Sequence, residues 1–198
     1  MQKGIAMRKL IIIFTSILAL SGCQLLSDPN ALLQNGNTLT NSSLDIAIEA
    51  NEEYTYQGQY HYEEFYKFDN DVGGTVHVGN LAVYQNANTH TFVMVHKKTC
   101  NHRCTFSTTS NVEEDESPSS FWVSGRKIFK RNGKMNLSKD SDIIELLTFK
   151  DKEFHNENIF NTSGYTSALG NSYFQVLVAT PIGQPMVKVK DVITLSEI

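Results

Sequence analysis

Between Tyr54 and Phe68 the chain alternates with a period of two. Even positions read Tyr54, Tyr56, Gly58, Tyr60, Tyr62, Glu64, Tyr66 and Phe68, and odd positions read Thr55, Gln57, Gln59, His61, Glu63, Phe65 and Lys67. Successive side chains of a strand point to opposite faces, so this pattern places rings on one face and mostly polar groups on the other. The run exceeds the usual strand length, which predicts a bulge or bend at Gly58 or at Glu63-Glu64.

Strand signals continue beyond it. Asp71-Val72-Gly73-Gly74 reads as a turn into Thr75–Val78, with Leu81–Tyr84 resuming after a break at Gly79-Asn80. Thr91–Val95 and Tyr173–Ala179 are apolar at both parities, as central strands covered on both faces are. Arg126–Arg131, Asn132-Gly133 and Lys134–Leu137 form a hairpin signature, because Asn-Gly suits a type I′ turn. Met186–Leu195 reads as a closing strand. Helical signals are confined to one short stretch near 142–149, where Asp142 and Glu145 are spaced as a capping box ahead of Leu146 and Leu147. The expected fold class is mainly β: an antiparallel sandwich or barrel-like sheet with that one helix.

The N-terminus carries an address. Lys3, Arg8 and Lys9 precede an apolar run from Leu10 to Leu20 that is too short for a permanent span. Met7 serves equally well as a start. Leu20-Ser21-Gly22-Cys23 resembles the lipobox of bacterial lipoproteins at all four positions. The resemblance implies removal of residues 1–22, a diacylglycerol (palmitate-type) thioether on Cys23 and an acylated amine. Two or three acyl chains give stable anchoring, so the protein is expected at the membrane without spanning it. Gln24 follows the cysteine, and by the Gram-negative sorting pattern the absence of Asp there favours the outer membrane. Residues 23–43 read as the acylated cysteine and a flexible tether, with a docked helix through Leu25, Leu26, Leu32 and Leu33 as the alternative. Residues 44–198 read as a single β-rich domain.

Cleavage before Cys23 leaves 14 basic against 21 acidic residues, a net charge of −7 with histidines neutral. That excludes a basic stripe of the kind that binds nucleic acid by counterion release, and makes an anionic membrane a poor electrostatic partner.

With Cys23 lipidated, Cys100 and Cys104 remain as a pair in an oxidising compartment. Four extended residues separate them by about 13 Å, so they bridge only if Asn101-His102-Arg103 turns back between a 91–99 strand and a 105–109 strand. A disulfide there displays His102 and Arg103 at a tip, as a binding site or as a solvated turn. Cys100, His102 and Cys104 converging on zinc or copper is the competing reading, with a redox pair behind it; C-x₃-C is a weak signal for either. His96, on the strand, lies away from them. Tyr54, Tyr56, Tyr60, Tyr62 and Tyr66 form either a surface that stacks on sugars or a protein partner, or an ordinary sheet ladder. Glu113–Glu116 lacks the spacing and glycine of a calcium loop and reads as solvated.

No nucleophile elbow, zinc-protease helix, phosphate loop or dinucleotide fingerprint occurs, and the six histidines are dispersed. The expectation is a non-catalytic, outer-membrane-anchored lipoprotein without a cofactor or metal. It would bind an envelope protein partner as an accessory or assembly component of a secretion, pilus, conjugation or exclusion system. An envelope glycan or peptide hydrolase using the tyrosine row is the alternative, and a metal or redox protein the second.

Overall fold

The protein is described by a computed structural model covering residues 28–67, 73–101, 104–107, 119–137, 143–147 and 158–198. Within these, eleven strands form two antiparallel sheets that do not close into a barrel. The small sheet holds β1 (Leu33–Asn35), β2 (Thr38–Asn41), β3 (Ile46–Ala50) and β11 (Ile193–Glu197), in the order β1-β2-β3-β11. The large one holds β4 (Thr55–Lys67), β5 (Gly74–Gln85), β6 (Phe92–Cys100), β7 (Ser120–Val123), β8 (Arg126–Leu137), β9 (Asn158–Leu169) and β10 (Ser172–Pro181). Its order is β4-β5-β6-β10-β9-β8-β7. Two single-turn helices complete it, α1 (Ile143–Leu146) and α2 (Val189–Val192).

The expected mainly-β sandwich is what forms. Its core lies between the sheets, where Leu39, Ile46 and Ile48 of the small sheet meet Tyr84, Val93, Val95, Phe174, Val176 and Val178 of the large one. Each such side chain contributes roughly 1.5–3 kcal/mol by leaving water. The far face of the large sheet carries a second apolar cluster of Leu81, Val83, Phe92, Met94 and Phe160, packed by Ile143, Ile144, Leu146 and Leu147 of the α1 turn. This double cover explains why β6 and β10 are apolar at both parities. α1 falls inside the 142–149 window, although Asp142 lies outside the described residues.

Several local expectations are corrected. From Asp28 onward the supposed tether belongs to the domain: β1 and β2 lie within it, and Leu32 and Leu39 are fully buried. Among the described residues of that stretch, 28–43, no helix forms; Leu25 and Leu26 lie outside them. Three of the four β2 residues are polar, which looks like linker composition, but Thr38 and Thr40 face away from the core that Leu39 enters, and the buried Asn41 donates to Pro29 O and Ala31 O. Asn132-Gly133 makes no turn. Gly133 lies mid-strand, paired with Thr162 along an unbroken β8–β9 ladder, and the turn sits earlier, at Ser124 (φ 47°) and Gly125 (φ 68°) between β7 and β8. β5 runs through Gly79-Asn80 without a break. The closing strand expected over Met186–Leu195 is β11 alone; Val189 is buried in α2, and Val187 packs on the core from an irregular segment.

Lys97 points into the sandwich and is 1% exposed. Its Nζ donates to Asn30 Oδ1 (3.2 Å) and Ser172 Oγ (3.1 Å), and Asn30 donates in turn to Thr99 Oγ1 (2.9 Å). Asn80 donates to Asp28 Oδ2 (2.9 Å). Burial, with Arg126 adding to it, pulls the Lys97 ammonium down to about 8 against the opposing pull of Asp28. This polar clasp holds residues 28–30 across β5 and β6.

Candidate functional site

The bulge in β4 decides which tyrosines share a face. Register shifts between Tyr56 and Gly58, where Gly58 takes φ +146°. Before the shift Tyr54 and Tyr56 face the inter-sheet core, Tyr56 packing edge-on to Tyr84 at 5.3 Å. After it Tyr60, Tyr62 and Tyr66 face outward. The row therefore divides in two, and a single aromatic surface of all five does not exist; an inserted residue reverses parity.

The outward tyrosines join rings from other strands. Tyr66 stacks on His77 (4.1 Å), His77 meets Phe106 edge-on (5.1 Å), and Phe106 lies 5.5 Å from Tyr173. Tyr173 meets His96 at 6.0 Å, and His96 meets Tyr62 at 5.7 Å. Lys98 Nζ sits over both Phe106 (5.0 Å) and Tyr173 (5.1 Å). The result is a strip of six rings across β4, β5, β6 and β10 with one ammonium at its centre.

Register explains the convergence. Tyr62 pairs with Gly79 and Gly79 with Lys98, while His96 is two residues back on β6. A Cβ at Gly79 would lie 2.7 Å from the Tyr62 ring. Glycine thus lets the ring cross β5 and reach His96, where the Tyr62 hydroxyl and Nε2 are 2.6 Å apart. Burial, then the charges of Lys98 and Lys97, lower the His96 imidazole to about 3. It is neutral at physiological pH, and the Tyr62 hydroxyl and Nε2 share one hydrogen bond whose direction follows the imidazole tautomer. Burial, reinforced by Tyr66, Tyr60 and Glu64, pushes the Tyr62 hydroxyl well above its ordinary range. Neither partner exchanges a proton near neutrality. The pair fixes shape.

Lys98 has its ammonium drawn down by burial, with Glu64 opposing. It is half-buried between two ring faces, an arrangement that presents a positive charge within an aromatic frame. Tyr66 donates to Glu64 Oε2 (2.6 Å), holding that carboxylate at the strip's edge.

At the upper end Cys100 and Cys104 form a disulfide, with Cα atoms 6.0 Å apart. Its framework differs from the expected hairpin. Residues 104–107 form no strand; instead the Phe106 amide donates to Gly170 O (2.9 Å), and Asn101 Oδ1 accepts from Thr75 Oγ1 (3.0 Å) and the Val76 amide (3.1 Å). The bridged segment folds over the β9–β10 turn and delivers Phe106 to the strip. His102 and Arg103, the expected tip, lie outside the described residues, as do Cys23 and Glu113–Glu116.

The residue brought to the cysteines is His77, which pairs with Cys100 across β5 and β6. Its Nε2 is 3.8 Å from Cys104 Sγ, and the three possible donor atoms lie within 4.8 Å of one another. With the bridge closed neither sulfur is a thiolate, so the set offers a metal only the imidazole. Sequence spacing gave no hint of His77, 23 residues upstream of Cys100, nor of Lys98, Phe106 and Tyr173; only strand register assembles them.

Among known families, residues 7–24 match the prokaryotic membrane lipoprotein lipid attachment site. The signal is that of a bacterial lipoprotein. Its acylation position is Cys23, which anchors the lipoprotein to a membrane through lipid. Neither curated proteins nor solved structures gave a match to the chain. Among the described residues no helix is long and apolar enough to cross a membrane.

Proposed function

We propose that this lipoprotein is a non-catalytic accessory or assembly component of an envelope machine, anchored at the outer membrane, and that it binds an envelope protein through the ring strip on the outer face of its large sheet. The observation that carries the reading is the continuity of that strip. Tyr66, His77, Phe106, Tyr173, His96 and Tyr62 form one chain of ring contacts around Lys98. Aromatic residues around a half-buried charge are the composition of interface anchors, which carry most of the binding energy where they are rigid. Rigidity comes from the sheet below and the disulfide-bridged segment above. Gln24 after the lipidated cysteine supports the outer-membrane assignment.

The test is photo-crosslinking in the native host, with a benzophenone side chain at position 173 or, as control, at Trp122 on the opposite edge strand. Position 173 should trap one discrete envelope protein and position 122 should not. Lys98→Ala should lower that yield about tenfold, equivalent to about 1.4 kcal/mol. Equal trapping from both positions, or none from 173 where the gene has a phenotype, overturns the reading. Fractionation of the Gln24→Asp variant tests location: the protein should move to the inner membrane.

A further inference from the structure

The chain between the lipid and the folded domain is short. Cys23 and Asp28 are five peptide steps apart, at most about 17 Å when fully extended. Asp28 is already part of the fold: its carboxylate accepts from Asn80 Nδ2 (2.9 Å) and lies 3.8 Å from His61 Nδ1. The residues that follow are held by the Lys97 clasp. Diacylglycerol on Cys23 fixes that residue at the headgroups, so Asp28 stays within about 17 Å of them.

This constraint selects a side of the molecule. His61 lies on β4, the edge strand of the large sheet, and Asn80 on β5 beside it. Phe65 and Lys67 share the His61 face of β4 and follow four and six residues along it, about 13 and 20 Å away. Phe65 is 64% exposed, a large apolar ring left open on an edge strand. Phe65 lies over the bare backbone of Gly74. A phenyl ring and a lysine two residues apart on one face have the amphipathic character that favours the headgroup layer. Glu63 and Glu64 flank them, which disfavours a strongly anionic surface. At the other end of the large sheet, six strand spacings or about 29 Å away, lies Trp122 on β7.

We infer that the β4 corner formed by Phe65 and Lys67 rests in the headgroup layer of the membrane to which Cys23 is attached. The occupant of this exposed corner is that membrane, with a zwitterionic surface. The inference rests on the lipid anchor. It places β4 down and leaves the ring strip, which rises from β4 toward β10, open to a partner from the side.

The full-length, processed lipoprotein in zwitterionic phosphatidylcholine vesicles provides the test, with brominated acyl chains as the quencher. Wild-type Trp122 should be quenched weakly. In a Trp122→Phe background, the tryptophan of a Phe65→Trp variant should be quenched at least threefold more, and that of a Lys67→Trp variant likewise, so one poorly folding variant does not decide the matter. Vesicle flotation separates the two premises. A protein that fails to float overturns the anchor and this inference together. One that floats with both new tryptophans no more quenched than Trp122 overturns the β4 contact and leaves the anchor standing.

Discussion

At the scale of single residues, the surroundings of His96 were invisible in the sequence. Its place after the apolar run put it on a strand, but nothing local revealed that Tyr62 would cross Gly79 and share a hydrogen bond with it. The consequence is a pH dependence with a definite sign. The imidazole is lowered to about 3 in the fold by burial and by Lys98 and Lys97, against an ordinary 6.5. The unfolded chain therefore binds the proton first, and the stability present above about 6.5 is lost as pH falls toward 3. Between pH 7 and pH 4.5 this group alone should remove about 2–3 kcal/mol. His96→Gln keeps a hydrogen-bond partner for Tyr62 without the titration. Urea melts at the two pH values should show the variant losing correspondingly less stability; equal losses would mean that carboxylates account for the acid sensitivity.

At the scale of elements, alternation revealed strands well and turns poorly. β4 and its bulge at Gly58 were legible, because a run of thirteen residues with one glycine has few other ways to bend. Asn132-Gly133 misled because a favourable turn dipeptide is a local preference, and here β9 offers a full ladder to both halves of β8. Ser124-Gly125 carried the turn instead, with both residues at positive φ. These two glycines should respond oppositely to alanine. At Gly133 φ is ordinary and a Cβ would meet Thr162 Oγ1 at 3.5 Å, so Gly133→Ala should raise stability by about 0.5 kcal/mol. At Gly125 the left-handed backbone makes Gly125→Ala cost about 1 kcal/mol. Thermal melts of both variants check the pair, and a loss at Gly133 as large as that at Gly125 would restore the hairpin there.

At the scale of the molecule, the fold class followed from the abundance of strands, whereas the division into two sheets did not. Composition hid the small sheet: residues 28–43 look like linker because Asn, Ser and Thr fill the solvent face of β2 and the adjoining turns. Yet β2, β3 and β11 close one core with the large sheet, and Leu32, Leu39, Ile46 and Ile48 are each at most 1% exposed there. The two sheets share no strand ladder, so their coupling runs through that core and through side-chain bonds such as Ser124 N to Glu197 Oε1 and Arg126 to Ser43 O. If the core couples them, damage in one sheet must loosen the other. Ile48→Ala removes buried methyl groups from β3 and should cost about 2–5 kcal/mol. The decisive reading is hydrogen exchange at the amides of Val176 and Val178 on β10, in the opposite sheet. Their protection should fall by about 30-fold or more, since a globally cooperative domain opens those amides only by unfolding. Unchanged protection on β10, with β2 and β3 exchanging faster, would show that the small sheet opens alone. The segment following the lipid anchor would then be a releasable strap, and the short leash that orients the domain on its membrane would lengthen whenever the strap let go.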